Sequence, residues 1–494
     1  MTSLSETSLL AGASGQSTGY TIDQSIRFDE KANAYMHRTP SSASNRRTWT
    51  WSGWLKHTSS STSGYHNIWT ARSGNNDYFE IAKRVTASGD NHMDIINKIS
   101  SSTGLRLVTD REFRDQAAWY HFVFVLDTTN VIASERVRFY VNGTRETSFS
   151  TETYPSLNYD TYINTDNKHE IGAYNGGSGY MMDGYMADIN FIDGYAYGPE
   201  YFGEFKEDTD IWIPIEYTGS YGTNGYHIDG RDSSDLGDDE SGNGNDYTEV
   251  NLAAHDQVLD TPTNNFCTIN PTYRGSSTTS GHYGVVSNGN LFIEHSGSND
   301  GGQLCTQLLP SGKWYWEVYI KAGGNNSSYQ LGSGIAAVNN GYYKQDGRNE
   351  GARAGEIGFN SYTGVVKFAN SDTKTYSEAP FSDTHIIQIA ADLDNGAIYY
   401  GKNGTFMGSG DPTSGASKTN AGATWSTSTY DGGWVPTTYV GGGSVPEIFI
   451  NFGQEGTFGG NVSSGSNSDG KGIGDFKYNV PSGYLAICTK NLGS

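Results

Sequence analysis

A chain of 494 residues is too long for a single sandwich core, and length alone predicts two to four domains. With 64 glycines, roughly twice the usual frequency of about 7%, and 34 tyrosines, the composition is that of a turn-rich β protein, while 10 Trp and 20 Phe exclude a disordered chain. A formal net charge of −22 without clustered Lys and Arg excludes nucleic acid as a partner, and the lack of any run of 18 apolar residues excludes a helical membrane insertion.

The first 20 residues are rich in Ser, Gly and Thr and read as an extended arm or attachment segment. The opening Met1-Thr2-Ser3-Leu4-Ser5-Glu6 has neither a basic region nor a long apolar stretch, so no export signal is expected. The first clear strand is Thr48-Trp49-Thr50-Trp51-Ser52-Gly53-Trp54-Leu55. Its alternation puts Trp49, Trp51 and Leu55 on one face and Trp54 on the other. A loop is expected next, carrying Tyr65 and His66. Tyr120-His121-Phe122-Val123-Phe124-Val125-Leu126 is apolar on both faces, as a central strand would be. The alternating Arg136-Val137-Arg138-Phe139-Tyr140-Val141 follows it and ends at an Asn142-Gly143 turn.

Beyond His227-Ile228-Asp229 comes an acidic, glycine-rich run with Asp232, Asp235, Asp238, Asp239, Glu240 and Asp246. The composition shift and Pro262 mark a junction, predicting an arm over 1–20, one domain over 21–260 that includes the acidic run, and another over 261–494. In that last part the hairpin pattern recurs. Ile386-Ile387-Gln388-Ile389-Ala390-Ala391-Asp392 leads through Asp394-Asn395-Gly396 into Ala397-Ile398-Tyr399-Tyr400, and a turn follows at Asn403-Gly404. The recurrence predicts two copies of one β architecture. No heptad run provides a shaft. Cys267, Cys305 and Cys488 are too few and unsuitably spaced for a disulfide framework or a zinc site, so buried free thiols are expected.

The stretch Ser25-Ile26-Arg27-Phe28, Arg38-Thr39-Pro40-Ser41-Ser42 and Arg47-Thr48-Trp49-Thr50-Trp51-Ser52-Gly53-Trp54, with Ala118-Trp119-Tyr120-His121 and Phe191-Ile192-Asp193-Gly194, resembles the laminin-G/concanavalin-A-like lectin domain of many marine tailed-phage structural proteins. Ser311-Gly312-Lys313-Trp314-Tyr315-Trp316-Glu317-Val318, Ile357-Gly358-Phe359-Asn360 and Val445-Pro446-Glu447-Ile448-Phe449-Ile450-Asn451-Phe452-Gly453 resemble a SPRY domain. The resemblance implies an all-β protein of two tandem concanavalin-A-like jelly-roll sandwiches behind a short extended arm. It also implies a virion surface protein assembled in the host cytoplasm, a tail fibre or similar appendage. Its partners would be other virion proteins, further copies of itself on the particle, and host cell-surface polysaccharide.

The same fold class hosts lectins and glucanases, so chemistry has to be read from residues. A retaining glucanase needs paired carboxylates about 5–5.5 Å apart, supplied by an acidic-x-acidic run on one strand, and none is present. Glu317 and Glu447 are solitary strand acids, and no enzymatic role is expected. A polysaccharide depolymerase is the disfavoured reading and a purely structural head or tail protein the main alternative. For sugar contact the candidates are Tyr65 and His66 in the first domain, and Tyr342 and Tyr343 after Asn339-Asn340-Gly341 in the second. No cofactor is expected. The one metal candidate is calcium at Asp239, Ser241 and Asn243, where oxygen ligands alternate before a glycine, and an acidic solvated turn is the preferred reading of that run.

Overall fold

The computed structural model describes residues 19–58, 63–86, 90–177, 180–272, 284–295, 301–324, 330–338, 355–430, 432–441 and 446–493. Among these the chain is nearly all β, with helix limited to single turns such as Ala133–Glu135 and Thr489–Leu492. The described chain divides into two compact units, residues 19–265 and 266–493.

In the first unit two antiparallel sheets face each other. One runs in the order Thr144–Arg145, Val137–Val141, Tyr120–Asp127, Thr48–His57, Gly184–Asp193, Ser25–Phe28 and Gln257–Val258, with Tyr226–Ile228 also paired to Gly184–Asp193. The other runs Phe149–Thr153, Ser102–Glu112, Asn91–Ile99, Tyr78–Val85, Gly64–Arg72, Lys168–Ile171, Tyr35–Arg38 and Thr248–Val250. Alternation decides what fills the space between them. Trp49, Trp51 and Leu55 point inward and meet Trp69, Phe79 and Ile81 of the facing sheet, with the Trp49 and Trp69 rings edge to face at 5.6 Å. Trp54, in the opposite phase, packs on the outer surface with Trp119, Tyr185 and Trp212.

The acidic run belongs to this unit, because Tyr226–Ile228 before it and Thr248–Val250 after it each join one of the two sheets. The end of the unit is pinned as well. Arg27 forms an ion pair with Asp256 at 3.2 Å, and Lys56 with Asp260 at 2.7 Å, both buried. Asp260 also accepts from the Trp119 indole at 3.1 Å, so the carboxylate is hydrogen-bonded as well as paired, as a buried charge requires.

The second unit repeats the plan. One sheet runs Gly284–Ser287, Phe292–His295, Glu447–Asn451, Lys313–Ala322, Ile386–Asp392, Ala397–Lys402 and Thr405–Phe406, with Ala423–Thr424 paired to Ala397–Lys402. Against it lie Gly301–Leu304, Trp434–Gly441, Gln330–Ala337, Glu356–Phe359, Val365–Phe368 and Ser371–Thr375. The recurring hairpin is real in both units. Tyr120–Asp127 pairs with Val137–Val141, which turns through Asn142 and Gly143 into Thr144–Arg145; Ile386–Asp392 pairs with Ala397–Lys402, which turns through Asn403 and Gly404 into Thr405–Phe406. Positive φ at all four turn residues (46°, 73°, 50° and 94°) is the conformation that favours Asn-Gly there.

Polar ties close the second core. The Trp316 indole donates to Ser333 Oγ at 3.0 Å, and Ser333 passes a hydrogen bond to Thr437 O at 2.6 Å, linking the two sheets through the interior. On the outer side, Glu317 accepts from Tyr315 Oη at 2.8 Å and from the backbone N–H groups of Lys477 and Tyr478 at 2.9 Å each. It is fully buried and hydrogen-bonded. Cys267, Cys305 and Cys488 are buried free thiols, with Cys267 and Cys305 in side-chain hydrogen-bond contact and Phe266 bridged to Cys488.

Candidate functional site

Tyr65 and His66, expected on a loop, lie inside the strand Gly64–Arg72, where alternation separates them. Tyr65 faces outward and is half-buried. His66 points into the sandwich and is 2% exposed, so it cannot touch a surface ligand. Tyr342 and Tyr343 lie outside the described residues.

Around Tyr65 the outer face of the first unit's second sheet collects rings and charges. Tyr180, 49% exposed, meets Tyr65 edge to face at 5.7 Å and Tyr174 at 5.9 Å. The Arg72 guanidinium lies over Tyr174 at 3.6 Å and near Tyr78 at 5.4 Å, and the Lys98 ammonium lies over Tyr78 at 5.6 Å. Arg72 is oriented by Gly74 O at 2.8 Å and Asn75 Oδ1 at 2.8 Å, which keeps the guanidinium in one pose.

Two carboxylates share this face. Asp94 and Glu80 project from neighbouring strands, whose register pairs Asp94 with Ala82 and Glu80 with Ile96. Arg106 holds Asp94 with two hydrogen bonds, at 2.8 and 3.3 Å. Burial, and then the charge of Asp94, push the Glu80 carboxyl up to about 7. The two acids were not visible as a pair in sequence, because a single-strand acidic-x-acidic pattern does not detect residues brought together by register. Arg106 thus ties Asp94 in place beside Glu80. What the face does present is a rigid set of donors and acceptors beside tyrosine rings.

The candidate calcium residues are engaged elsewhere. Asp239 Oδ1 accepts from His227 N at 2.8 Å and Ser241 N at 2.9 Å, while Oδ2 accepts from Ser241 Oγ at 2.9 Å and Asn245 N at 2.8 Å. Asn243 Nδ2 donates to Gly222 O at 2.8 Å and Gly225 O at 3.0 Å, presenting N–H groups and not oxygen to the loop. The three residues organise a turn, and a cation there would displace four donors from one carboxylate. Among the described residues, the side chains grouped as metal ligands would be are Asp90, His92 and Glu112, whose ligand atoms lie within 4.8 Å of one another. Arg114 Nη2 already stands 2.5 Å from Glu112 Oε2, and Thr86 Oγ1 donates to Asp90 Oδ2 at 2.9 Å.

Residues 30–196 match the family described as the concanavalin A-like lectin/glucanases superfamily, in its laminin G form, and residues 313–441 match the SPRY domain. No curated protein matches the chain. Among solved structures, the SPRY domain of human HERC1 aligns over 37% of this chain and 96% of its own at 16% identity, with a TM-score of 0.27. A heptameric SAP-like pentraxin from Limulus polyphemus aligns over 36% of this chain and 78% of its own at 17% identity, with a TM-score of 0.27. Domains LG4-5 of the mouse laminin alpha1 chain align over 86% of this chain and 83% of their own at 10% identity, with a TM-score of 0.28. The chain is a laminin G-type, concanavalin-A-like module followed by a SPRY β-sandwich. Both are lectin-like binding folds, which suggests a binding or adhesion role.

Proposed function

We propose that this protein is a non-enzymatic adhesion component of a tailed-phage particle, displayed on the virion surface, whose first module holds a host cell-surface polysaccharide. The observation that carries the reading is the outer sheet face around Tyr65, Tyr174 and Tyr180. Sugar rings stack on aromatic faces, while hydroxyls bind fixed polar groups such as the Arg72 guanidinium and the Asp94–Arg106 pair. A contact of this kind is weak alone, and many copies on one particle raise its effective concentration into firm attachment.

The test compares the soluble protein with an artificially multimerised form on host cells and on their extracted polysaccharide. The multimer is expected to label cells and delay adsorption far more than the single chain, and reducing ends should not accumulate. A multimer that neither labels cells nor delays adsorption would hand the role to the purely structural alternative, a head- or tail-associated protein without a ligand of its own. Accumulating reducing ends would make the protein a depolymerase.

A further inference from the structure

One end of the first module's interior is basic where the rest is apolar. The alternation that turns Trp51 and Leu55 inward continues along the same strand to His57. On the facing sheet the phase of Phe79 and Ile81 turns Lys83 inward, and His66 is its direct cross-strand partner, so both occupy that side. The His57 and His66 rings stand 6.0 Å apart. His57, His66 and Lys83 are 7%, 2% and 1% exposed.

Protein groups do not satisfy this cluster. His66 Nδ1 donates to Met181 O at 3.1 Å, which fixes the proton on that nitrogen and leaves Nε2 as a bare acceptor without a partner. Among the described residues neither ring nitrogen of His57 has a partner. Among the described residues Lys83 has no hydrogen bond or ion pair, and burial alone pulls its ammonium down to about 8, leaving it charged at neutral pH. That charge and burial depress both imidazoles, His66 to about 4.

A buried charge without a counter-charge is costly, and unsatisfied buried polar atoms are rare enough that several in one place call for an occupant. Water would satisfy the imidazoles and leave the charge uncompensated. An anion with its own proton satisfies all three groups. We propose that His57, His66 and Lys83 form an internal binding site for inorganic phosphate, its anionic oxygens facing the Lys83 ammonium and a His57 N–H and its O–H donating to His66 Nε2.

The experiment is calorimetric titration of the full chain with inorganic phosphate at neutral pH, with sulfate as a second arm and chloride at matched ionic strength as the baseline. Saturable binding of one phosphate per chain is expected. Sulfate, which carries no proton to give His66 Nε2, should bind at least tenfold more weakly, and Lys83→Met should abolish phosphate binding. His57→Phe, which keeps the charge and removes a donor, should weaken it severalfold and serves if Lys83→Met does not fold. No heat above the chloride baseline, or phosphate binding unchanged by both substitutions, would overturn the site. Sulfate binding as tightly as phosphate would overturn the role given to His66.

Discussion

The two modules share a plan and a hairpin, yet one buried polar cluster in each is handled in opposite ways. In the SPRY module Trp316, Ser333 and Thr437 form a satisfied relay across the core, and Glu317 spends both oxygens holding the segment around Lys477. In the laminin G-type module the inward groups His57, His66 and Lys83 are bases with nitrogens left over. The first pattern contributes stability, and the second leaves hydrogen-bonding capacity unspent. A fold can therefore be repeated in one chain while its interior chemistry diverges, since alternation fixes which positions face inward and not what they carry.

The largest expected effect is on the satisfied relay. Trp316→Ala should cost about 3–5 kcal/mol, since it empties a fully buried ring site. Trp316→Phe keeps most of the volume and removes the N–H, and about 1 kcal/mol is expected. Urea denaturation of the full chain measures both, and a Phe variant as stable as the parent would break the contrast between the modules.

Next in size is the response to acid, which has opposite sign at the two sites. His66 falls to about 4 in the folded state because burial and Lys83 disfavour its charge. The unfolded chain then binds more protons between about pH 4 and 6.5, so this group removes stability as pH drops through that window. Glu317 is raised to about 7 by burial, so the folded chain binds more protons between about pH 4.5 and 7, and this group adds stability as pH drops. Each shift is worth on the order of 3 kcal/mol. Stability measured across pH 4–7 should therefore lose part of its acid sensitivity in His66→Gln and become more acid-sensitive in Glu317→Gln. Identical pH slopes in parent and variants would contradict both assignments.

Tyr180→Ala and Tyr65→Ala alter a half-open face. Each should reduce polysaccharide binding by the multimer severalfold while changing stability by less than about 1 kcal/mol. A fall in stability without a fall in binding would place the rings in packing alone. A separate effect concerns the Asp239 turn. Asp239→Ala should cost about 1–2 kcal/mol through four lost hydrogen bonds, three of them to backbone N–H groups, with no change in the parent's melting temperature on chelation.

Alternation and turn chemistry made the sheets legible. Trp49, Trp51 and Leu55 against Trp54, and Asn-Gly at 142–143 and 403–404, could be placed from neighbouring residues alone. The sites were legible only in part. His66 looked like a loop residue because Ser and Gly precede it, and its inward direction follows from a strand start that composition does not mark. Glu80 and Asp94 lie 14 residues apart and His57 and Lys83 lie 26 apart in the chain, so only register and sheet stacking reveal what each meets. The Asp239 run offered a cation loop and, in preference, a solvated turn, and the backbone N–H groups that bond to Asp239 leave no trace in side-chain sequence.

The clasp at the end of the laminin G-type module bears on its synthesis. Ser25–Phe28 pairs with Gln257–Val258, and the partners of buried Arg27 and Lys56, Asp256 and Asp260, come more than 200 residues after them. On the ribosome the module cannot close until nearly its whole length has emerged, and until then two cations that end up dry stay in water. The strand order therefore sets a schedule: the early chain waits, and the last few residues of the module decide when it locks.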